Sequence, residues 1–193
     1  AHNVSAGAAE PRKITQLLGE VIAHPDYSYD EKTGNRLNDI ALIKLREPLD
    51  IENNPDLGLI CVPDQNDDYN PYQGQMATVV GWGLTSNQLY TSSKVLLKVS
   101  LPVNSMDECV EMYDLPEESK NSMICTYQVG ASPCMLDEGG PLMLQDEDGK
   151  WMVVGTASYF QGKDCGEVKH PYMYAHVSIF SDWIWDTVKE SEE

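Results

Sequence analysis

An all-β domain is the fold class this sequence predicts. Its apolar segments are short, and most alternate with polar residues or run for about five to nine residues between turn signals. Its 14 glycines and 11 prolines supply many turns. No apolar run is long enough to cross a membrane as a helix. With 193 residues, 41% of them hydrophobic, the chain can bury a real core in one or two compact units.

The segments follow in order. Residues 13–24 are apolar with mixed periodicity and fit either helix or strand. Residues 40–45 form a short buried run. The stretch 47–75 is rich in Pro, Asp and Asn, is interrupted by apolar residues 57–62, and reads as a linker between two units. Residues 76–82 read as a buried strand ending in Gly81, Trp82 and Gly83. Residues 95–103 read as another, with Lys98 and Ser100 as polar interruptions. Residues 105–113 have helix features, with Ser105 as an N-cap and Asp107 and Glu108 in the first turn. Residues 123–127, 141–144, 152–159 and 173–177 are further strands. Residues 178–187 predict an amphipathic helix with Ile179, Trp183 and Ile184 on one face. No internal repeat or low-complexity segment interrupts this order.

The formal net charge is −18. Such a surface repels nucleic acid and anionic membranes and keeps the chain soluble; a basic protein surface is the partner it favours. The start, Ala1, His2, Asn3, Val4 and Ser5, lacks the regions of a signal peptide, so a signal is expected to have been removed or to lie upstream. Five cysteines fit no zinc pattern and no redox pair. Disulfides and secretion are expected, with one cysteine free or bonded outside the chain. Asn3 begins a glycosylation sequon with Val4 and Ser5, usable in a secreted protein.

Cys134, Met135, Leu136, Asp137, Glu138, Gly139, Gly140 and Pro141 follow one another without a break. This stretch resembles the nucleophile loop of the chymotrypsin/trypsin-like serine protease family, with a carboxylate where the serine stands. Other landmarks agree in order. Asn38, Asp39, Ile40, Ala41 and Leu42 resemble the segment carrying the triad aspartate. Gly81, Trp82 and Gly83 resemble the tryptophan turn that opens the second barrel. Residues 154–158 resemble the strand lining the substrate cleft, 171–177 the strand closing the specificity pocket, and 181–184 the terminal helix. The resemblance covers essentially the whole chain. It implies two six-stranded antiparallel Greek-key barrels and a C-terminal α-helix. Residues 1–60 would be the remainder of a first barrel that is incomplete in this chain, 61–75 the inter-barrel linker, 76–177 the second barrel, and 178–193 the helix and tail. The narrower likeness is to arthropod clip-domain serine protease homologues.

The departures from the family decide the expected function. Glu138 has no hydroxyl for a base to activate. Leu136 stands where the family has an oxyanion-hole glycine, so its side chain is expected to crowd the hole or forbid its geometry. The histidine loop lies upstream of this chain's start, and His2, His24, His170 and His176 match no catalytic position. Asp39 is left as an acceptor for backbone donors. Ser132 stands at the pocket base without the charge that attracts Lys or Arg. Ser158, Tyr159 and Phe160 match the cleft strand, and Phe160 and Tyr172 replace glycines, so their rings are expected to fill the pocket. Asp137 matches the aspartate that pairs with a new N-terminal amine in active members, and Glu138 is expected to face solvent or meet a Lys or Arg. Two neighbouring carboxylates also permit glycosidase-like chemistry, but nothing else shapes a sugar site.

The resemblance pairs Cys109 with Cys125 and Cys134 with Cys165, and assigns Cys61 to a bridge with an N-terminal companion fragment, which would also complete the first barrel. The calcium loop would fall near residues 1–16, where its acidic ligands are mostly replaced, so no metal and no cofactor is expected. The expected function is that of a secreted, non-catalytic homologue, an adaptor or cofactor for a protease or zymogen in an extracellular cascade such as melanisation, innate immunity or clotting. The alternatives are a residual serine endopeptidase and a venom or salivary binding protein on the same scaffold.

Overall fold

The computed structural model describes residues 13–86, 90–162, 164–166 and 170–191. The chain is mostly β. Its strands are β1 (Leu18–Ala23), β2 (Ser28–Tyr29), β3 (Arg36–Leu37), β4 (Ala41–Leu45), β5 (Met76–Gly81), β6 (Leu84–Ser86), β7 (Thr91–Ser92), β8 (Leu97–Pro102), β9 (Met123–Thr126), β10 (Pro141–Gln145), β11 (Trp151–Phe160) and β12 (Tyr172–His176). Helix α1 (Met106–Tyr113) follows β8, and α2 (Ser181–Glu190) closes the chain. Single 3-10 turns at Glu117–Asn121 and Val177–Phe180 lead into β9 and α2.

One six-stranded antiparallel sheet dominates, in the order β8-β5-β10-β11-β12-β9. Its edges meet. Val103, after β8, bridges Thr126 of β9, and the Asn104 N–H donates to the Cys125 carbonyl at 3.0 Å. The sheet therefore curls on itself around Ala77, Val79, Leu101, Leu142, Val154 and Tyr174. Alternation drives this: in β5, Ala77 and Val79 point inward while Met76 is exposed. The interior is tight at Gly155, where a Cβ would come within 3.1–3.3 Å of Tyr174, Ile124 and Leu142.

Outside the curl, α1 lays Met106, Cys109, Val110 and Tyr113 on Met123, Cys125, Tyr159 and Met173. Those helix positions recur at a spacing of three and four, so they share one face. The helix stops where Asp114 turns left-handed (φ 51°). A third cluster docks α2 through Ile184, and the turn before it through Phe180, against Ile40, Ala175 and Val177.

The open reading of residues 13–24 resolves to a strand: β1 pairs with β4, Val21 opposite Ile43, a partner that local periodicity alone does not reveal. The terminal helix begins at Ser181, three residues later than expected, because Val177–Phe180 is a 3-10 turn. Residues 13–60 contribute two two-stranded ribbons, β1–β4 and β2–β3. Leu18, Val21 and Ile43 are more than half exposed on the first of these.

Candidate active-site cleft

The nucleophile loop is held at both ends. Cys134 is bonded to Cys165, and Pro141 starts β10. Within the loop, the Gly139 N–H donates to the Ala157 carbonyl and the Ala157 N–H to the Gly140 carbonyl, each at 2.8 Å. The loop is thus stitched to the middle of β11. Asp137 turns inward. Its Oδ1 accepts from the Gly83 N–H at 2.7 Å and its Oδ2 from the Cys134 N–H at 3.1 Å. A Cβ on Gly81 or Gly83 would collide with that carboxylate, which is why the turn around Trp82 carries glycine on both sides. Asp137 is therefore satisfied by backbone donors.

Glu138 is exposed, as one of its two expected settings has it, and among the described residues it meets no Lys or Arg. Its Oε2 accepts from the Leu136 N–H at 2.8 Å, an acceptor two residues along folding back over the loop. Leu136 departs from expectation. It adopts the left-handed region at φ 75° and points its side chain outward, 69% exposed. Leucine neither forbids the geometry nor crowds the backbone; it carries a cost of about 1–2 kcal/mol for an L residue with positive φ.

The opposite wall comes from residues 28–39. Asp39 Oδ2 accepts from the Ser158 hydroxyl at 2.6 Å, a side-chain donor where backbone donors were expected. Arg36 donates from Nη1 to the Ser158 carbonyl at 2.9 Å, and its guanidinium lies 5.8 Å from the Tyr29 ring and 5.7 Å from the Tyr159 ring. Gln161 Nε2 donates to Asn35 Oδ1 at 2.5 Å. The β2–β3 ribbon is thereby latched to the cleft strand at a place where the β11–β12 register slips between Ala157 and Tyr159. Arg36 was missed from sequence; only its place three residues before Asp39 hinted at the cleft.

The expected pocket residues divide. Phe160 and Tyr172 stack, with ring centres 5.7 Å apart, and Tyr172 packs on Tyr174 at 5.3 Å. Tyr172 is buried, and burial pushes its phenol far above the usual range, with the Glu138 carboxylate adding to it. Tyr159 faces the other way, into the cluster under α1, its phenol pushed up to about 12 by burial. Ser132 does not join them. Its hydroxyl donates to the Pro133 carbonyl at 2.6 Å, and it lines a cavity of about 640 Å³ with Gly81, Gly83, Asp137 and Asp164, whose wall includes none of Ser158, Tyr159, Phe160 or Tyr172. A second groove of about 450 Å³ is lined by Asp39, Glu138 and Thr156 together with Val21, Ala41 and Ile43.

The described histidines lie elsewhere. His24 packs on Phe180 and Trp183, at 5.1 and 4.8 Å, where burial lowers its pKa. His170 lies 6.2 Å from the Tyr113 ring. His176 is fully buried, with Nε2 2.9 Å from the Ser178 hydroxyl. His2, Asn3 and most of residues 1–16 fall outside the described residues. Cys109 is bonded to Cys125, and Cys61 is free and exposed. Its N–H and carbonyl are fixed to Trp151 and Val153, at 3.0 and 2.9 Å. Among the described residues, no group of three or more His, Cys, Asp or Glu is placed to hold a metal ion.

A curled antiparallel barrel, a C-terminal helix and a disulfide-held loop running into Gly139 and Gly140 define a trypsin-like domain. The chain matches the Trypsin family over residues 2–184, and it belongs to that family. It is 32% identical to complement C1s subcomponent of Rattus norvegicus, over 93% of this chain and 27% of that protein. Chymotrypsin-C of Rattus norvegicus is 33% identical, over 89% and 63%. Venom serine protease 34 of Apis mellifera is 32% identical, over 99% and 45%. The chain thus spans between 27% and 63% of the length of these relatives.

Proposed function

We propose that this chain is a secreted, catalytically inactive member of the trypsin family that acts by binding protein, as an adaptor or cofactor in an extracellular proteolytic cascade such as innate immunity, melanisation or clotting. The observation that carries the reading is Glu138. It replaces the attacking alcohol with a carboxylate, and that carboxylate occupies the Leu136 N–H, a donor that acyl transfer would turn on the developing oxyanion. Two further contacts favour it. Arg36 takes the Ser158 carbonyl, which an extended peptide added to this edge would need, and Tyr172 with Phe160 fills the space of a specificity pocket. Among the described residues no helix is long and apolar enough to cross a membrane, and the two disulfides suit an oxidising compartment.

The partner is a protease or zymogen of the same cascade presenting a basic surface to a chain of net charge −18. Complement C1s among the relatives fits such a setting. A companion N-terminal segment joins through Cys61, whose thiol is offered from a fixed backbone. Incubated with a fluorophosphonate probe, the protein is expected to stay unlabelled; label on any serine overturns inactivity. Added to a reconstituted cascade, it is expected to alter the activation rate in a dose-dependent way. An unchanged rate at every dose removes the adaptor role.

A further inference from the structure

We propose that the open edge and outer face of β8 form a docking surface for an extended acidic segment of a partner protein. This goes beyond the functional reading above, in which a partner is drawn to the chain's acidic surface, and does not depend on it.

The charge pattern is already set along the chain. All 31 acidic residues lie outside the interval between Asp68 and Asp107, and that interval carries two lysines, Lys94 and Lys98. It is the longest stretch without a carboxylate in a chain of net charge −18, and folding gathers much of it into β5 to β8. Alternation then sorts its side chains. Ala77, Val79 and Leu101 enter the core, so Val80 opposite Lys98 and Thr78 opposite Ser100 stand on the outer face. Around them Met76, Tyr90, Val95 and Leu97 are 46–76% exposed. Lys94 and Lys98 are exposed as well. Among the described residues neither meets a carboxylate, whereas Lys120, Lys150 and Lys189 each do. Two carboxylates share a cavity wall with Lys98 without pairing with it: Asp137, which is committed to backbone donors, and Asp164.

The backbone is open at the same place. β8 ends the six-stranded sheet and pairs with β5 from Leu97 to Pro102. Among the described residues its other edge meets β9 only past the strand, at Val103 and Asn104. A free edge offers main-chain donors and acceptors to an added strand. Lysine on an edge strand ordinarily disfavours such addition. Here the lysines stand among apolar side chains left in water, so they turn away a basic strand and attract an acidic one. The occupant is therefore extended polypeptide, with apolar side chains for Val95 and Leu97 and carboxylates for Lys94 and Lys98.

The test uses fluorescein-labelled eight-residue peptides that alternate Val or Leu with Asp or Glu, and a matched set with Lys in place of the acids. The acidic set is expected to bind saturably and, in nitrogen-15-labelled protein, to shift the amides from Val95 to Leu101 most. Raising sodium chloride from about 0.02 to 0.2 M is expected to weaken binding. Lys94→Glu with Lys98→Glu is expected to weaken it about tenfold, as two exposed attractions become repulsions. Lys94→Gln with Lys98→Gln, which only removes the charges, is expected to lie between. Lys150→Glu with Lys189→Glu makes the same charge change elsewhere and is expected to leave binding within about twofold. The proposal is overturned if no acidic peptide binds saturably, if the lysine set binds equally, or if the two glutamate pairs weaken binding alike. It is also overturned if the chain alone self-associates in sedimentation and the Lys94 and Lys98 substitutions abolish this, since the occupant is then a second copy. Because binding is the readout, failure here leaves the cascade reading standing, and failure in the cascade assay leaves this surface standing.

Discussion

Tyr172 is 1% exposed, and its hydroxyl has no hydrogen-bond partner among the described residues. A buried, unpaired hydroxyl costs about 1–3 kcal/mol, while the ring repays its burial through contacts with Phe160 and Tyr174. Tyr172→Phe is therefore expected to raise stability by about 1 kcal/mol in urea unfolding; a loss of stability would mean the hydroxyl is bonded after all. His176 is the second costly residue. Burial pulls its pKa from 6.5 to about 4, with Asp68 opposing, and among the described residues only Nε2 finds a partner. The folded state therefore keeps the ring neutral, whereas the unfolded chain takes up a proton below about pH 6.5. Its contribution is whole above that pH and falls by roughly 3 kcal/mol as the pH drops from 6.5 to 4. Unfolding midpoints of parent and His176→Gln proteins at pH 7 and pH 4.5 check this. The parent is expected to lose more stability than the variant, and equal losses would show that His176 is not the titrating group.

At the scale of elements, the disulfides act on parts that packing alone holds unevenly. Cys109–Cys125 ties α1 to β9 across 16 residues, and both sulfurs lie in the core beneath the helix. Cys134–Cys165 spans 31 residues and holds the start of the nucleophile loop. Loop-closure entropy assigns about 3 kcal/mol to the first and about 4 to the second. Replacing both cysteines of the first pair by alanine is expected to lower unfolding free energy by about 3 kcal/mol and to leave the Leu136 amide in place. Replacing the second pair should also disturb that amide, because Cys134 donates to Asp137. Similar spectra for the two double variants would refute this division of labour. The β1–β4 ribbon is the counterpart: two strands with apolar residues in water are marginal alone and depend on what packs against them.

For the whole molecule, charge is the dominant property. With 31 acidic and 13 basic side chains, the folded chain concentrates like charge. Among the described residues few ion pairs offset it; Lys120 bonds both Asp107 at 2.7 Å and Glu117 at 2.6 Å. Compact states suffer more self-repulsion than unfolded ones, and salt screens it over about 10 Å at 0.1 M. The melting temperature is thus expected to rise by a few degrees between about 0.02 and 0.2 M sodium chloride, while association with a basic partner weakens over the same range. A melting temperature that falls with added salt would mean that ion pairs outweigh repulsion.

Much of this architecture was legible locally because strands announce themselves through a period of two, and because Gly81, Trp82 and Gly83, the run from Cys134 to Pro141, and the cysteine spacing belong together. The identity of residue 138 was legible in the same way. Its direction was not: nothing in a string of letters says that Glu138 turns back on Leu136, or that Leu136 tolerates φ 75° by sending its side chain to solvent. Arg36 and Ser158 meet across 122 positions, and neighbouring Tyr159 and Phe160 part to opposite faces of β11. Residue type and spacing were enough to give the all-β class, the family pattern and a glutamate at position 138. Which backbone donors the two carboxylates take, and that Phe160 stacks on Tyr172, came only with the folded chain, because such contacts join segments far apart in the sequence.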